Sequence, residues 1–145
     1  MQLEVLEAGI RDSDRKIEEM ALDLEGVDIL TSVTGVGNLT AVAYVLTLGD
    51  PSRFPRSRIL GSFLGLRPKR DQSGERDKQL PITLAGDAYL RSLLVGSAHY
   101  ILGPFGPDSA LRRWGLGLAE RGGKAAKKRA VDHLVRHGCS LAAPG

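Results

Sequence analysis

Residues 29–43, Ile29-Leu30-Thr31-Ser32-Val33-Thr34-Gly35-Val36-Gly37-Asn38-Leu39-Thr40-Ala41-Val42-Ala43, alternate apolar helix formers with a glycine-bracketed break. Ile29, Leu30 and Val33 predict a short first helix. Gly35-Val36-Gly37 predicts a tight hairpin, because glycine reaches backbone conformations closed to other residues. Leu39, Val42, Ala43 and Leu46 predict the apolar line of a second helix, which Gly49-Asp50-Pro51 stops.

An apolar residue between two glycines, followed by small Ala41 four positions after the second glycine, has the form of a helix-hairpin-helix motif. Glycines there let the backbone come close to a phosphate, and the free N–H groups at the start of the second helix point at it. Contacts of that kind position DNA without reading bases. The alternative is a glycine-rich turn that only packs two helices closely. A dinucleotide-binding fingerprint is excluded, since Thr40 stands where a third glycine is required and no β-type run precedes the turn.

Upstream of the turn, Leu3, Leu6, Ile10, Ser13, Ile17, Met20, Leu24 and Val27 follow a 3–4 spacing, a heptad seam broken only by Ser13. A stripe this narrow predicts a partner helix, in a second copy or in its own domain. Glu4, Glu7, Asp12, Asp14, Glu18 and Glu19 fill the flanks, so this helix is not expected to meet phosphate.

The 145 residues fit one domain, with 42% apolar and 26% charged residues. Aromatics make up only 5%, so the core must rest on aliphatic side chains. No apolar run approaches the roughly 18 residues that span a bilayer, and the N-terminus has no leader pattern. The single Cys139 excludes an intrachain disulfide and fits a reducing compartment, so a cytoplasmic protein with no membrane partner is expected. The net charge of +3 is unevenly distributed: residues 1–28 carry −6, residues 51–80 carry +5 and residues 110–138 carry +6. An acidic head with two basic blocks fits a polyanion partner, DNA in the first place. Solvated charged faces would give the same counts.

The first basic block contains Leu66-Arg67-Pro68-Lys69-Arg70-Asp71-Gln72-Ser73-Gly74-Glu75-Arg76-Asp77-Lys78, predicted as an exposed loop by its polarity and proline. Ser73 is surrounded there by Arg67, Lys69, Arg70, Arg76 and Lys78. Cations around a serine hydroxyl suit a scissile phosphate, and equally suit a Ser-Gly turn in a DNA-contacting loop. Asp87 is predicted to cap a helix with Leu90, Leu93, Leu94, Ala98, Ile101 and Leu102 on one stripe, and Arg91 is spaced for a local pair with Asp87. Asp108 opens a further helix with Leu111, Trp114 and Leu118 inward, and Lys124, Lys127, Lys128 and Arg129 begin a basic helix suited to a phosphate backbone. Gly123-Lys124 is not a phosphate-binding loop, because Ala125 replaces the required hydroxyl residue. His133, His137 and Cys139 lack a fourth ligand or a cysteine pair, so no metal site is expected.

Several punctuating residues, in order, carry a resemblance: Thr34-Gly35-Val36-Gly37, Leu48-Gly49-Asp50, Arg53-Phe54, Gly65-Leu66-Arg67-Pro68, Gln72-Ser73-Gly74, Ile82-Thr83, Gly86-Asp87 and Leu90-Arg91. With Gly103-Pro104-Phe105-Gly106-Pro107-Asp108 and Gly122-Gly123-Lys124, this pattern over about residues 27–130 resembles the C-terminal, serine-bearing domain of the bridge-RNA-guided, DEDD-type insertion-sequence transposases. The resemblance implies that Ser73 is the nucleophile that forms a phosphoserine with DNA. It further implies a guide RNA partner, and magnesium held by a DEDD domain rather than by these residues. On that basis the chain is expected to be a fragment lacking the DEDD half and needing a partner polypeptide for catalysis. Leu84 departs from the usual basic residue, and the sequence after Ala130 departs from the family's apolar terminal helix, as a frameshift would cause.

The expected architecture is all-α: a coiled-coil-like helix over 1–26, a bundle of short helices containing the helix-hairpin-helix over 27–130, and a divergent tail over 131–145. Expected phosphate contacts are Gly35, Gly37, Thr40, Arg67, Lys69, Arg70, Arg76, Lys78, Lys124, Lys127 and Lys128, with Ser73 as catalytic residue. The expected function is DNA transposition. The alternatives are a non-catalytic helix-hairpin-helix DNA-binding protein, and a partner that pairs with a complete transposase and poisons it.

Overall fold

A computed structural model describes residues 1–65, 68–73, 76–82 and 87–121. The described chain is helical, with helices α1 (Gln2–Asp23), α2 (Val27–Thr31), α3 (Asn38–Leu48), α4 (Ser57–Phe63), α5 (Ala88–Leu102) and α6 (Ala110–Glu120). A 3-10 turn, Pro51–Arg53, precedes α4. Among the described residues one β-hairpin interrupts the helices, formed by β1 (Pro68–Ser73) and β2 (Arg76–Ile82). The chain divides into two compact units, Met1–Gly49 and Asp50–Gly145.

In the first unit, α1 has no buried residue along its 22 positions. Its acidic and basic side chains pair with each other one turn apart: Arg11 with Glu7 at 3.2 Å, Lys16 with Asp12 at 2.7 Å and Arg15 with Asp12 at 2.8 Å. Such exposed pairs add only about 0.3–0.5 kcal/mol each to a helix. The two basic partners, Lys16 first and then Arg15, hold the Asp12 carboxyl below its ordinary range. Leu3, Leu6 and Ile10 of the heptad seam stand exposed, and the seam becomes buried only at Val27. Gly26, with φ of 91°, makes the left-handed turn between α1 and α2. α3 packs against both preceding helices and buries Ala41, Val42, Tyr44 and Leu48. That inward face differs from the expected one: Leu39 and Leu46 are exposed, and Tyr44 takes the place in the core.

The second unit buries Phe54, Leu60, Leu64, Leu90, Ala98, Ile101 and Leu102. Phe54 meets Phe63 edge to face, with ring centroids 5.3 Å apart. Asp87 caps α5 as its sequence position predicts, accepting a hydrogen bond from the Leu90 N–H at 2.6 Å. Arg91, however, does not close the expected local pair with Asp87. Its guanidinium donates to the Leu64 carbonyl at 3.2 Å, beyond the end of α4. α6 is capped by Ser109, whose hydroxyl accepts from the Arg112 N–H at 3.1 Å, one residue later than the expected Asp108. Asp108 instead pairs with Arg113 at 2.6 Å. Trp114, expected inward, is exposed, and the adjacent Gly115 is the buried position of α6. The final correction concerns residues 66–78, expected as an exposed loop. Its described residues, 68–73 and 76–78, belong to an antiparallel ribbon that continues to Ile82 and sets Ser73 opposite Arg76.

Candidate nucleic-acid interface

The two features expected from the sequence to contact phosphate lie in different units: the glycine turn in the first, the basic hairpin in the second. In the turn, the Val36 N–H donates to the Val33 carbonyl at 3.0 Å, and Gly35 takes φ of 95°. A side chain at Gly35 would be strained there by about 1–2 kcal/mol. Gly37 follows in extended backbone, with φ of −91° and ψ of 176°, and immediately precedes α3. No side-chain cap bonds the first N–H groups of α3, and the first bond into the helix runs from the Ala41 N–H to the Gly37 carbonyl at 3.0 Å. The leading N–H groups of Asn38, Leu39 and Thr40 are therefore available to an outside acceptor, with the positive end of the helix dipole behind them.

Gly37 distinguishes the two explanations of the motif. Its backbone conformation is open to any residue, so conformation does not require glycine. A Cβ built there meets nothing within 4 Å, so internal packing does not require it either. The close-packing alternative thus has no support at this position. What the missing side chain leaves is open space on the outside of the turn. Thr40, expected among the contacts, is only 8% exposed, and its side chain is taken up in the core. Its N–H is the part that remains in the first turn of α3.

In the hairpin, Ser73 ends β1 and stands opposite Arg76 in the register. Asp71 is opposite Lys78, Gln72 opposite Asp77 and Arg70 opposite Gln79, with a register irregularity between Pro68 and Arg70 that falls at Lys69. Strand alternation places positions 71, 73, 76 and 78 on one face of the ribbon and 70, 72, 77 and 79 on the other. Ser73 therefore shares its face with the positions of Arg76 and Lys78, which a loop reading left unordered. Arg67, Lys124, Lys127 and Lys128 lie outside the described residues. Among the described residues no group of three or more His, Cys, Asp or Glu side chains is arranged to hold a metal ion. No described helix is long and apolar enough to cross a membrane.

Two arginines do work that the sequence did not reveal. Arg91 bonds the Leu64 carbonyl, and Arg112 bonds the Ile101 and Gly103 carbonyls. Their acceptors are backbone atoms 27, 11 and 9 residues away, and no side-chain pattern marks such partners. Arg112 belongs to the second basic block, so part of that block's charge closes a helix.

Residues 27–111 match the family described as Transposase IS116/IS110/IS902 family. The chain belongs to this family. It is 36% identical over 93 residues to the transposase for insertion sequence element IS1111A of Coxiella burnetii, covering 64% of this chain and 26% of that one. With a probable family 20 transposase of Pseudomonas aeruginosa it shares 31% identity over 121 residues, 83% of this chain and 36% of the relative. A pilin gene-inverting protein of Moraxella lacunata is 29% identical over 109 residues, 74% of this chain and 33% of the relative. The chain thus spans between about a quarter and somewhat over a third of the length of these relatives.

Proposed function

We propose that this chain supplies the DNA-contacting and strand-transfer part of an insertion-sequence transposase. The observation that carries the DNA contact is Gly37: neither its conformation nor internal packing requires glycine, and it opens the surface beside the uncapped start of α3. A phosphate approaching there meets the N–H groups of Asn38, Leu39 and Thr40. Gly35 sets the turn, and the basic hairpin positions Arg70, Arg76 and Lys78, with Lys69, Arg67, Lys124, Lys127 and Lys128, add charge along the strand.

Within this reading Ser73 is the nucleophile. Its Oγ forms a bond to phosphorus, one P–O ester bond of the strand breaks, and the departing oxygen carries away a proton while the hydroxyl loses its own. The cation positions next to Ser73 on the ribbon support that role, because negative charge grows on the phosphate oxygens in the transition state. Carboxylates for magnesium belong to a DEDD-bearing polypeptide, and a guide RNA selects the target.

The test of the DNA contact is Gly37→Val, measured by fluorescence anisotropy on a labelled duplex. The open space at Gly37 lets the fold persist, so helix content stays at the wild-type level while affinity falls about ten-fold, a loss of roughly 1.4 kcal/mol. Unchanged affinity overturns the assignment. For Ser73, a Ser73→Ala chain that still forms a covalent DNA adduct, when mixed with a complete family member, removes it as nucleophile.

The exposed seam of α1 favours association as a second element of the reading. Leu3, Leu6 and Ile10 lie in solvent on a helix with no buried residue, a face suited to a second copy or to a transposase partner. Replacing Ile10 and Ile17 together by Asp abolishes that association in sedimentation experiments. An unchanged mass distribution argues against it.

A further inference from the structure

The loop between α5 and α6, Gly103-Pro104-Phe105-Gly106-Pro107, is tied down at several atoms, yet its largest side chain takes part in none of the ties. The Gly103 N–H donates to the Tyr100 carbonyl at 3.2 Å and the Gly106 N–H to the Gly103 carbonyl at 3.3 Å. Arg112 reaches back from α6 and donates to the carbonyls of Ile101 and Gly103, at 2.5 and 2.6 Å. Gly106 sits so close to the end of α5 that a Cβ there would lie 2.6 Å from the carbonyl oxygens of both Tyr100 and Ile101. Pro104 and Pro107 fix φ on either side. The result is a stiff turn built on backbone contacts and one arginine.

Phe105 stands on that turn 85% exposed. Single exposed apolar residues are common and need no explanation. This case differs in composition and in placement. The chain has only seven aromatic residues, and three of them, Tyr100, Phe105 and Trp114, are exposed within fifteen positions around this loop. The block that begins just after the loop, residues 110–138, carries a charge of +6. Exposed rings on a rigid support, followed in the sequence by a basic block, suit stacking on nucleobases.

We infer that Phe105 inserts against the bases of DNA as a stacking side chain, with the Arg112-braced loop as its rigid mount. This inference rests on the DNA-binding reading given above and adds a base-stacking contact to its phosphate contacts. The shared chemistry is the π-face of a nucleobase, offered either by a duplex step that the ring wedges open or by an unpaired base. Preordering of the loop means that little conformational freedom is lost on contact, which raises the affinity the ring contributes.

The experiment uses the full chain, its Phe105→Ala variant and its Phe105→Trp variant, with 2-aminopurine placed in a duplex or in a single strand of equal length. Phe105→Ala is expected to bind about ten-fold or more weakly. Its dependence of affinity on salt should keep the wild-type slope, since no phosphate contact is removed. Phe105→Trp restores binding. A rise of 2-aminopurine fluorescence in the duplex, lost in Phe105→Ala, identifies a wedged step, while quenching confined to the single strand identifies an unpaired base. Wild-type chain that binds with a steep salt dependence, and a Phe105→Ala variant of equal affinity and equal fluorescence response, overturn the stacking contact and leave the phosphate reading standing. Wild-type chain that does not bind either DNA overturns both. Because Phe105 is exposed, helix content is expected to be the same in all three proteins, and circular dichroism verifies this.

Discussion

Replacing Arg112 by methionine removes the two hydrogen bonds that close the end of α5 while keeping the apolar stem of the side chain. Hydrogen bonds to a charged group contribute about 1.5–3 kcal/mol each. Here both leave from the same nitrogen, at 2.5 and 2.6 Å, so their contributions overlap. Arg112 is half-buried, and water reaches part of what it leaves behind. The expected loss is therefore nearer one bond than two, about 2 kcal/mol. For a unit of this size that corresponds to a fall of roughly 10 °C in the midpoint of thermal unfolding. Circular dichroism at the helix minimum follows the transition, and amide exchange at residues 101–106 localises it. Arg113→Met serves as the control: its pair with Asp108 is solvent-exposed on both sides and contributes about 0–1 kcal/mol. Equal midpoints for the two variants, or an Arg112→Met protein within about 2 °C of wild type, would refute the clamp.

Three further outcomes follow from the same contacts. Leu60→Ala, at a side chain with no exposed surface, should cost about 2–5 kcal/mol, read by urea unfolding. Gly106→Ala should destabilise the second unit by about 1–3 kcal/mol, because the atoms its Cβ meets are backbone oxygens of α5 that yield only if the loop shifts; amide exchange at Gly103 would report it. Asp12 has its folded-state carboxyl held down by Lys16 and Arg15, so its contribution to α1 is present above the unfolded value of 3.8 and disappears as pH falls through the lower folded value. Helix content of Asp12→Asn should accordingly lose that part of the acid dependence.

The glycine turn was legible in sequence because its signals are local: two glycines, an apolar residue between them and a helix on either side. The inward face of α3 was not. Residues 39–48 are almost uniformly apolar, so periodicity does not choose between Leu39 with Leu46 and Ala41 with Tyr44 and Leu48. The hairpin was hidden for the opposite reason. Pro-Lys-Arg-Asp-Gln-Ser and Arg-Asp-Lys-Gln-Leu-Pro-Ile have almost no β-branched or aromatic residues and no apolar alternation, so only pairing across the turn makes them strands. Of the candidate site, the residue types were legible and their grouping was not. The register that sets Ser73 beside Arg76 is a property of the ribbon, and the burial of Thr40 is a property of the packed core.

The arginine clamp also bears on where this domain can be cut. The match to the family as a whole ends at residue 111, and Arg112 is the next residue. A segment chosen to end where that match ends would keep all of α5 but lose the side chain that terminates it. Its last turn would fray, and the loop carrying Phe105 would lose its anchor. α5, the loop and the first turn of α6 are thus tied together by hydrogen bonds that reach past the end of the family match.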